Sequence, residues 1–176
     1  MSLRSFKRFD SVVSHRLQEI AKDSWPRKAL AVVAHSADSV VVVPCLFALW
    51  WWHDFARQSL VIPVAAGFAL SIVVTSIVKF AVRRRRPAGD WGAFYRKTDP
   101  HSFPSGHASR TITMTMVVMA GRWPLIGAAL LLWSLLVGLS RIILGVHYLY
   151  DVLAGYLLGL GIGAAMWLLM AFDILL

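Results

Sequence analysis

Apolar residues fill long stretches of the chain, and polar ones gather in the gaps between them and at the N-terminus. Five runs approach the ~20 residues that cross a bilayer as a helix: about 29–52, 60–82, 105–121, 125–144 and 146–172. The first ends in Trp50, Trp51 and Trp52, which suit the aromatic belt at a membrane–water boundary. Gly121-Arg122-Trp123-Pro124 supplies a compact turn between the third and fourth runs. In the first 28 residues the pattern changes. Phe6, Phe9, Val12, Val13, Leu17 and Ile20 recur at roughly helical spacing among Arg4, Lys7, Arg8, Arg16 and Lys22. This predicts an amphipathic helix lying on the membrane surface, or else one covering the end of the bundle. Pro26 is expected to end or kink it. The prediction is an all-α integral membrane bundle of about five transmembrane helices, with an interfacial segment at 1–28 and one transmembrane domain at 29–176.

Composition supports the membrane reading. The chain is 58% hydrophobic and 15% charged, against about 45–50% and about 25% in soluble proteins. Its net charge of +9 would suggest nucleic acid in a soluble chain. Here the basic residues flank apolar runs, so membrane lipids and a phosphorylated substrate are the expected partners, and nucleic acid is not. Cys45 is the single cysteine, which excludes an intrachain disulfide. The polar start, MSLRSFKRFD, has no short apolar core ahead of a small-residue cleavage site, so no cleavable signal peptide is expected.

Three polar clusters interrupt the apolar text. Lys79 is followed by six residues and then Arg86-Pro87; Pro104-Ser105-Gly106-His107 comes next; Ser140-Arg141 is followed by five residues, His147, three more, and Asp151. The first lies at the exit of the second span, the second at the entrance of the third, and the last where the fourth turns into the fifth. Counting crossings places all three at one membrane face. Charges are costly in hydrocarbon, so they must face a cavity or one another. Lys79, Arg86 and Arg141 offer fixed positive charge, and guanidinium forks match phosphate oxygens. Ser105 and Gly106 open a helix whose free N–H groups favour an anion. His147 and Asp151, four apart on one helix, share a face, and a carboxylate on one ring nitrogen activates the other. His107 is then free to act as general acid toward a leaving oxygen.

Lys-x6-Arg-Pro, Pro-Ser-Gly-His and Ser-Arg-x5-His-x3-Asp together resemble the three-part signature of the type 2 phosphatidic acid phosphatase family. That superfamily also contains glucose 6-phosphatase and the vanadium haloperoxidases. The resemblance covers residues 79–151 and holds at every signature position. It implies that His147 attacks phosphorus to form a phosphohistidine, that Asp151 orients it, and that His107 protonates the departing alcohol. It implies that Lys79, Arg86, Ser105, Gly106 and Arg141 hold the phosphoryl oxygens. Ser140 either bonds phosphate or caps local backbone. The family uses no metal or other cofactor for this chemistry. Many membrane members carry six spans, one more than the five counted here.

Other polar residues have plainer readings. Arg83, Arg84 and Arg85 read as a positive-inside anchor or a headgroup patch. His35 and Asp38 read as a satisfied pair near the interface, with a second acid–base pair as the alternative. Arg110, one turn beyond His107, either contacts a headgroup or pairs with an acid such as Asp38. Tyr95, Arg96, Lys97, Asp99 and His101 lie in the one long polar connection, as a lid. The Gly-rich stretch LGLGIGAAM reads as helix packing.

The expected activity is metal-independent hydrolysis of a lipid phosphomonoester or diphosphate. Candidate substrates are phosphatidic acid, phosphatidylglycerol phosphate, a polyprenyl phosphate or diphosphate, and lipid A phosphate. A transporter or non-catalytic lipid-binding protein would also explain buried charges, though not two histidines and an aspartate at this spacing. A vanadate-dependent peroxidase would use the same cradle. The excess of basic residues on the site face, seven of them within residues 4–28, puts that face in the cytoplasm of a bacterial inner or plasma membrane.

Overall fold

A computed structural model describes residues 3–19, 24–52, 60–87, 99–121 and 123–172. These residues form seven helices in chain order: α1 (Leu3–Glu19), α2 (Ser24–His35), α3 (Ser39–Trp51), α4 (Val61–Val82), α5 (Gly106–Ala120), α6 (Pro124–Ile143) and α7 (Leu149–Ala171). No strand occurs among the described residues; one isolated bridge joins Arg85 and His101. The protein is an all-α membrane bundle.

Three helices, α4, α6 and α7, are long and apolar enough to cross a membrane unaided. The two other expected spans take different forms. The first is α2 and α3, bent by 51° about Ser36–Asp38. Helix α2 begins at Ser24, and Pro26 lies in its first turn, where its missing N–H costs nothing. Proline there belongs to the start of α2; residues 20–23, between it and α1, lie outside the described residues. The third expected span, α5, has only 15 residues and sits at the centre of the bundle, packed against α4, α6 and α7.

The sequence of α5 suits that central place. Its hydroxyls are buried and bonded across helices: Ser109 with Ser71 of α4 at 2.9 Å, Thr111 with Ser134 of α6 at 2.7 Å, and Thr113 donating to the Gly159 carbonyl of α7 at 3.0 Å. Lipid tails are as apolar as leucine, so small residues and hydroxyl bonds hold such helices together. On α7, a Cβ at Gly159 would lie 2.4 Å from the Ser109 carbonyl oxygen, and one at Gly155 would lie 2.5 Å from that of Ser105. Glycine at both positions lets α7 approach the start of α5 backbone to backbone. The outer faces stay apolar, with Ile77, Leu125 and Leu157 exposed, as a lipid environment requires.

Helix α1 turns a polar face to the bundle. Asp10 and Ser14 are buried, while Phe9 and Val12 are exposed. Ser14 Oγ accepts from the Leu149 N–H at 2.9 Å, and Asp10 Oδ1 accepts from the Tyr150 N–H at 3.0 Å. These are orphan donors of the first turn of α7, so α1 caps that helix from outside. The described contacts seat α1 against the start of α7. Ile20 and Lys22, and the side chains of Arg4, Phe6 and Lys7, lie outside the described residues.

Candidate active site

The three polar clusters meet at one end of the bundle. Helix α4 stops at Arg83, whose φ of 52° breaks the helix just after Lys79 has been placed in its last turn. The chain then leaves the helix and passes through the Arg85–His101 bridge to Arg86. Helix α5 opens at Gly106 after a cis Phe103–Pro104 bond. At the end of α6 the Arg141 carbonyl accepts from both the Val146 and His147 N–H groups at 3.2 Å. Gly145, at φ +75°, makes that reversal possible. The turn thereby returns His147 over the C-terminal end of α6, close to Arg141. The Ser105 N–H donates to the Asp151 carbonyl at 2.8 Å, tying the start of α5 to the first turn of α7.

Arg86 is the hub. Its Nη1 donates to the Val146 carbonyl at 2.8 Å and lies 3.1 Å from His147 Nε2. Its Nε donates to the Asp99 carbonyl at 2.8 Å, and Nη2 donates to Asp99 Oδ2, also at 2.8 Å. Lys79 Nζ donates to the same carboxylate oxygen. Burial works against a charge on Asp99, but Lys79 and Arg86 outweigh it and hold the carboxyl below its ordinary value. An anionic oxygen thus rests across two of the expected phosphate ligands. Asp99 and His101 belong to the connection read as a lid; Tyr95, Arg96 and Lys97 lie outside the described residues.

His147 and Asp151 are both buried. His147 precedes α7, whose N-cap is Tyr148, so it does not share a helix with Asp151 as the four-residue spacing suggested; its Nδ1 lies 3.6 Å from Asp151 Oδ2, beyond hydrogen-bond range. Burial, then the charges of Arg86 and Arg141, hold the imidazole well below its ordinary value of 6.5, so the ring is neutral at pH 7. Asp151 is itself anchored. Its Oδ2 accepts from the Tyr148 N–H at 2.9 Å, and its Oδ1 accepts from Arg84 Nη1 at 2.8 Å.

Arg84 is the residue the sequence undervalued. It is read there as part of a surface anchor, yet its Nη2 also donates to Asp10 Oδ2 at 2.6 Å, and its guanidinium lies 4.2 Å from the Tyr148 ring centre. It joins α1 to the carboxylate behind His147. Nothing in the run Arg83–Arg86 separates Arg84 from its neighbours, and its acidic partners are 74 and 67 residues away.

A cavity of about 590 Å³ opens beside this hub, with Lys79, Asp99, Gly106, His107, Arg110 and Asp38 in its wall. A Cβ at Gly106 would meet only Thr75 Oγ1, at 3.8 Å. Packing does not demand glycine there, and the missing side chain leaves room at the helix start. Ser105 is buried with no bond to its Oγ among the described residues. Arg141 is buried, with 1% of its surface exposed. Ser140 Oγ donates to the Val137 carbonyl at 2.7 Å, so of its two readings the backbone bond is the one formed here.

His107 Nε2 lies 2.7 Å from Asp38 Oδ1, and His35 Nδ1 lies 2.7 Å from Asp38 Oδ2. Arg110 instead donates to Ser39 Oγ at 3.0 Å. The pair His35–Asp38 is therefore not a separate interfacial feature: it reaches the PSGH histidine.

Comparison with known proteins names the class of this all-α membrane bundle. The PAP2 superfamily pattern matches residues 60–174, and the chain belongs to that superfamily. It is a membrane lipid phosphatase, a hydrolase of phosphate ester or anhydride bonds. A curated relative in Escherichia coli (strain K12), "Putative undecaprenyl-diphosphatase YbjG", is 29% identical over 142 residues, covering 78% of this chain and 71% of its own. The crystal structure of Aquifex aeolicus LpxE is similar with a TM-score of 0.70 and 28% identity, over 86% of this chain and 90% of that one. A transmembrane PAP2-type phosphatidylglycerolphosphate phosphatase from Bacillus subtilis shares the fold, with a TM-score of 0.77 and 20% identity over 96% and 86% of the two chains.

Proposed function

We propose that this chain hydrolyses the phosphomonoester or diphosphate of a lipid by forming and breaking a phosphohistidine at His147. One observation carries the reading: a single guanidinium, Arg86, touches both an anionic oxygen (Asp99) and the ring nitrogen of His147. A phosphoryl group taking the place of the Asp99 carboxylate on Lys79 and Arg86 would be brought beside that nitrogen. Arg141, Ser105 and the N–H groups opening α5 would complete the cradle, with Gly106 leaving room for the approach. Fixed donors aimed at the charge of the transferring phosphoryl group supply most of the catalysis in such reactions. Asp151 positions His147, and His107 supplies the proton to the leaving oxygen.

The tail has a place as well. An apolar hollow of about 390 Å³ lies between α3 and α4 and shares Ile72 with the site cavity. A substrate whose phosphate entered the cradle could keep its chain against these helices. Phosphatidic acid, phosphatidylglycerol phosphate, polyprenyl phosphates and diphosphates, and lipid A phosphate all fit that description. Phosphate release from a panel of these lipids by detergent-solubilised protein tests the reading. Turnover of at least one, lost in His147→Ala, is expected; turnover persisting in His147→Ala would overturn it.

We place the site on the cytoplasmic face of a bacterial inner or plasma membrane, with α1 at the membrane surface. The bond of Asp10 to Arg84 supports the first half, because it ties the basic N-terminal helix to the site end. The exposed Phe9 and Val12 support the second. In a Cys45→Ser background, cysteines at residues 5 and 92 should resist an impermeant thiol reagent in intact cells; labelling of both would reverse the orientation.

A further inference from the structure

The break between α2 and α3 carries more than a bend. An apolar helix pair interrupted within its length leaves backbone groups without helical partners, and such breaks persist in membrane proteins where the irregular segment lines a cavity. Here the break places Asp38 in the cavity wall. Trp133 Nε1 of α6 donates to Ser36 Oγ at 2.8 Å, which holds the break against the bundle. Asp38 is also the N-cap residue of α3, with extended backbone and its carbonyl accepting from Val41 and Val42. An aspartate at that position ordinarily turns its carboxylate onto the N–H groups of the helix it starts. This one makes no such bond. Both oxygens go to histidines instead: Oδ1 to His107 and Oδ2 to His35, each at 2.7 Å. The cap is forgone for a His–Asp–His chain ending at the site.

We propose that Asp38, braced by His35, is a positioning residue for His107: it fixes the ring through Nε2 and directs Nδ1 toward the leaving oxygen. The inference rests on the role of His107 as general acid given above. In the acid form, His107 is an imidazolium whose Nε2–H is held by Asp38 Oδ1. As the new P–N bond forms at His147 Nε2, the P–O bond to the leaving group breaks. The proton on His107 Nδ1 passes to that oxygen, releasing the alcohol and leaving a neutral imidazole with its hydrogen still on Nε2. In the second half, His107 Nδ1 takes a proton from water as the water oxygen attacks phosphorus. The P–N bond breaks, its electron pair returns to His147, and phosphate departs. Asp38 keeps one hydrogen bond through both halves and gains a full charge partner whenever His107 is protonated. A neutral imidazole without that carboxylate would be free to present either nitrogen.

The test uses two probes of different leaving group, phosphatidic acid in detergent micelles and 4-nitrophenyl phosphate. An alkoxide needs the proton; a nitrophenolate scarcely does. In kcat/KM, which reports steps through loss of the first leaving group, His107→Ala should fall by about 10²-fold or more on phosphatidic acid and much less on the phenyl ester. Asp38→Asn should show the same asymmetry at about tenfold to a hundredfold, and His35→Gln a smaller version of it. Asp38→Asn added to His107→Ala should cost little more, because the positioned group is already gone. Vanadate inhibition should be retained in all, showing an intact cradle. Equal losses on both probes in Asp38→Asn, or no loss, with the asymmetry present in His107→Ala, would overturn the role of Asp38 alone. Absence of the asymmetry in His107→Ala would overturn the acid itself and the inference with it. If Asp38→Asn does not fold, His35→Gln decides in the same way.

Discussion

Nη1 of Arg86 lies 3.1 Å from Nε2 of His147. A guanidinium has no lone pair to offer, so the imidazole nitrogen must be the acceptor. The ring hydrogen is then on Nδ1, facing Asp151 Oδ2 at 3.6 Å, and the lone pair that would attack phosphorus is on Nε2, where the cradle begins. This contact agrees with the proposed attack through Nε2, once a phosphoryl group displaces the guanidinium from that lone pair.

The neutral state of that ring is testable by titration. Burial and the charges of Arg86 and Arg141 depress the folded imidazole below 6.5. An unfolded chain would take up the proton near 6.5, the folded one only at lower pH. The contribution of this group to stability is therefore complete above 6.5 and diminishes as pH falls toward the depressed folded value. The imidazole resonances of His147, assigned by difference from His147→Asn, should keep their neutral-form shifts as the pH of substrate-free protein is lowered through 6.5. A midpoint at or above 6.5 would contradict the account.

Asp99 occupies the place where phosphate is expected, so its removal should strengthen anion binding. Asp99→Ala leaves Lys79 and Arg86 without that carboxylate and lets vanadate or inorganic phosphate enter without displacing it. The inhibition constant for either anion should fall several-fold, and more at low ionic strength than at high. An unchanged or higher constant would show that Asp99 stays in place, or helps, when the anion binds.

Arg84 should matter to activity without touching substrate. Arg84→Met leaves Asp10 and Asp151 without their shared guanidinium, and breaking such a pair costs about 3–5 kcal/mol when fully buried. Arg84 is 25% exposed at its side chain, so the loss of stability should lie below that range. Thermal unfolding in detergent should show it. With Asp151 unanchored, kcat should drop at least about tenfold, in line with the effect of supporting groups elsewhere. Asp10→Asn, which disturbs the far end of the bridge, should reduce both less.

Gly155→Ala tests the coupling of α7 to the phosphate turn. The added Cβ would lie 2.5 Å from the Ser105 carbonyl oxygen, which is backbone and must move. Small displacements of catalytic groups are costly in rate, about 10²-fold for 1 Å. Turnover should fall by more than tenfold, whereas Gly161→Ala, in open space on the same helix, should leave it unchanged. Equal behaviour of the two would show that close approach at Ser105 is not required.

The three signature clusters were legible in the sequence because each is local: a lysine and arginine seven apart, a four-residue turn, a histidine and aspartate four apart. Crossing parity gathered them at one face, since an all-helical membrane chain has few other ways to arrange them. The apolar runs likewise announced α4, α6 and α7 to within a few residues. What the chain could not show by itself was which polar residues meet across long separations. The 51° break in the first span is invisible to hydropathy, which averages over Ser36–Asp38, and so the reach of Asp38 to His107 was hidden. The N-terminal helix had a moment but no stated partner; only its docking onto α7 turned Asp10 inward to Arg84. The seat of Asp99 across Lys79 and Arg86 depends on where a long connection folds back. Periodicity and spacing encode what lies within a turn or a crossing, because backbone geometry fixes those distances. The partners of a buried charge are fixed instead by desolvation, which selects among many distant candidates only once the helices have packed.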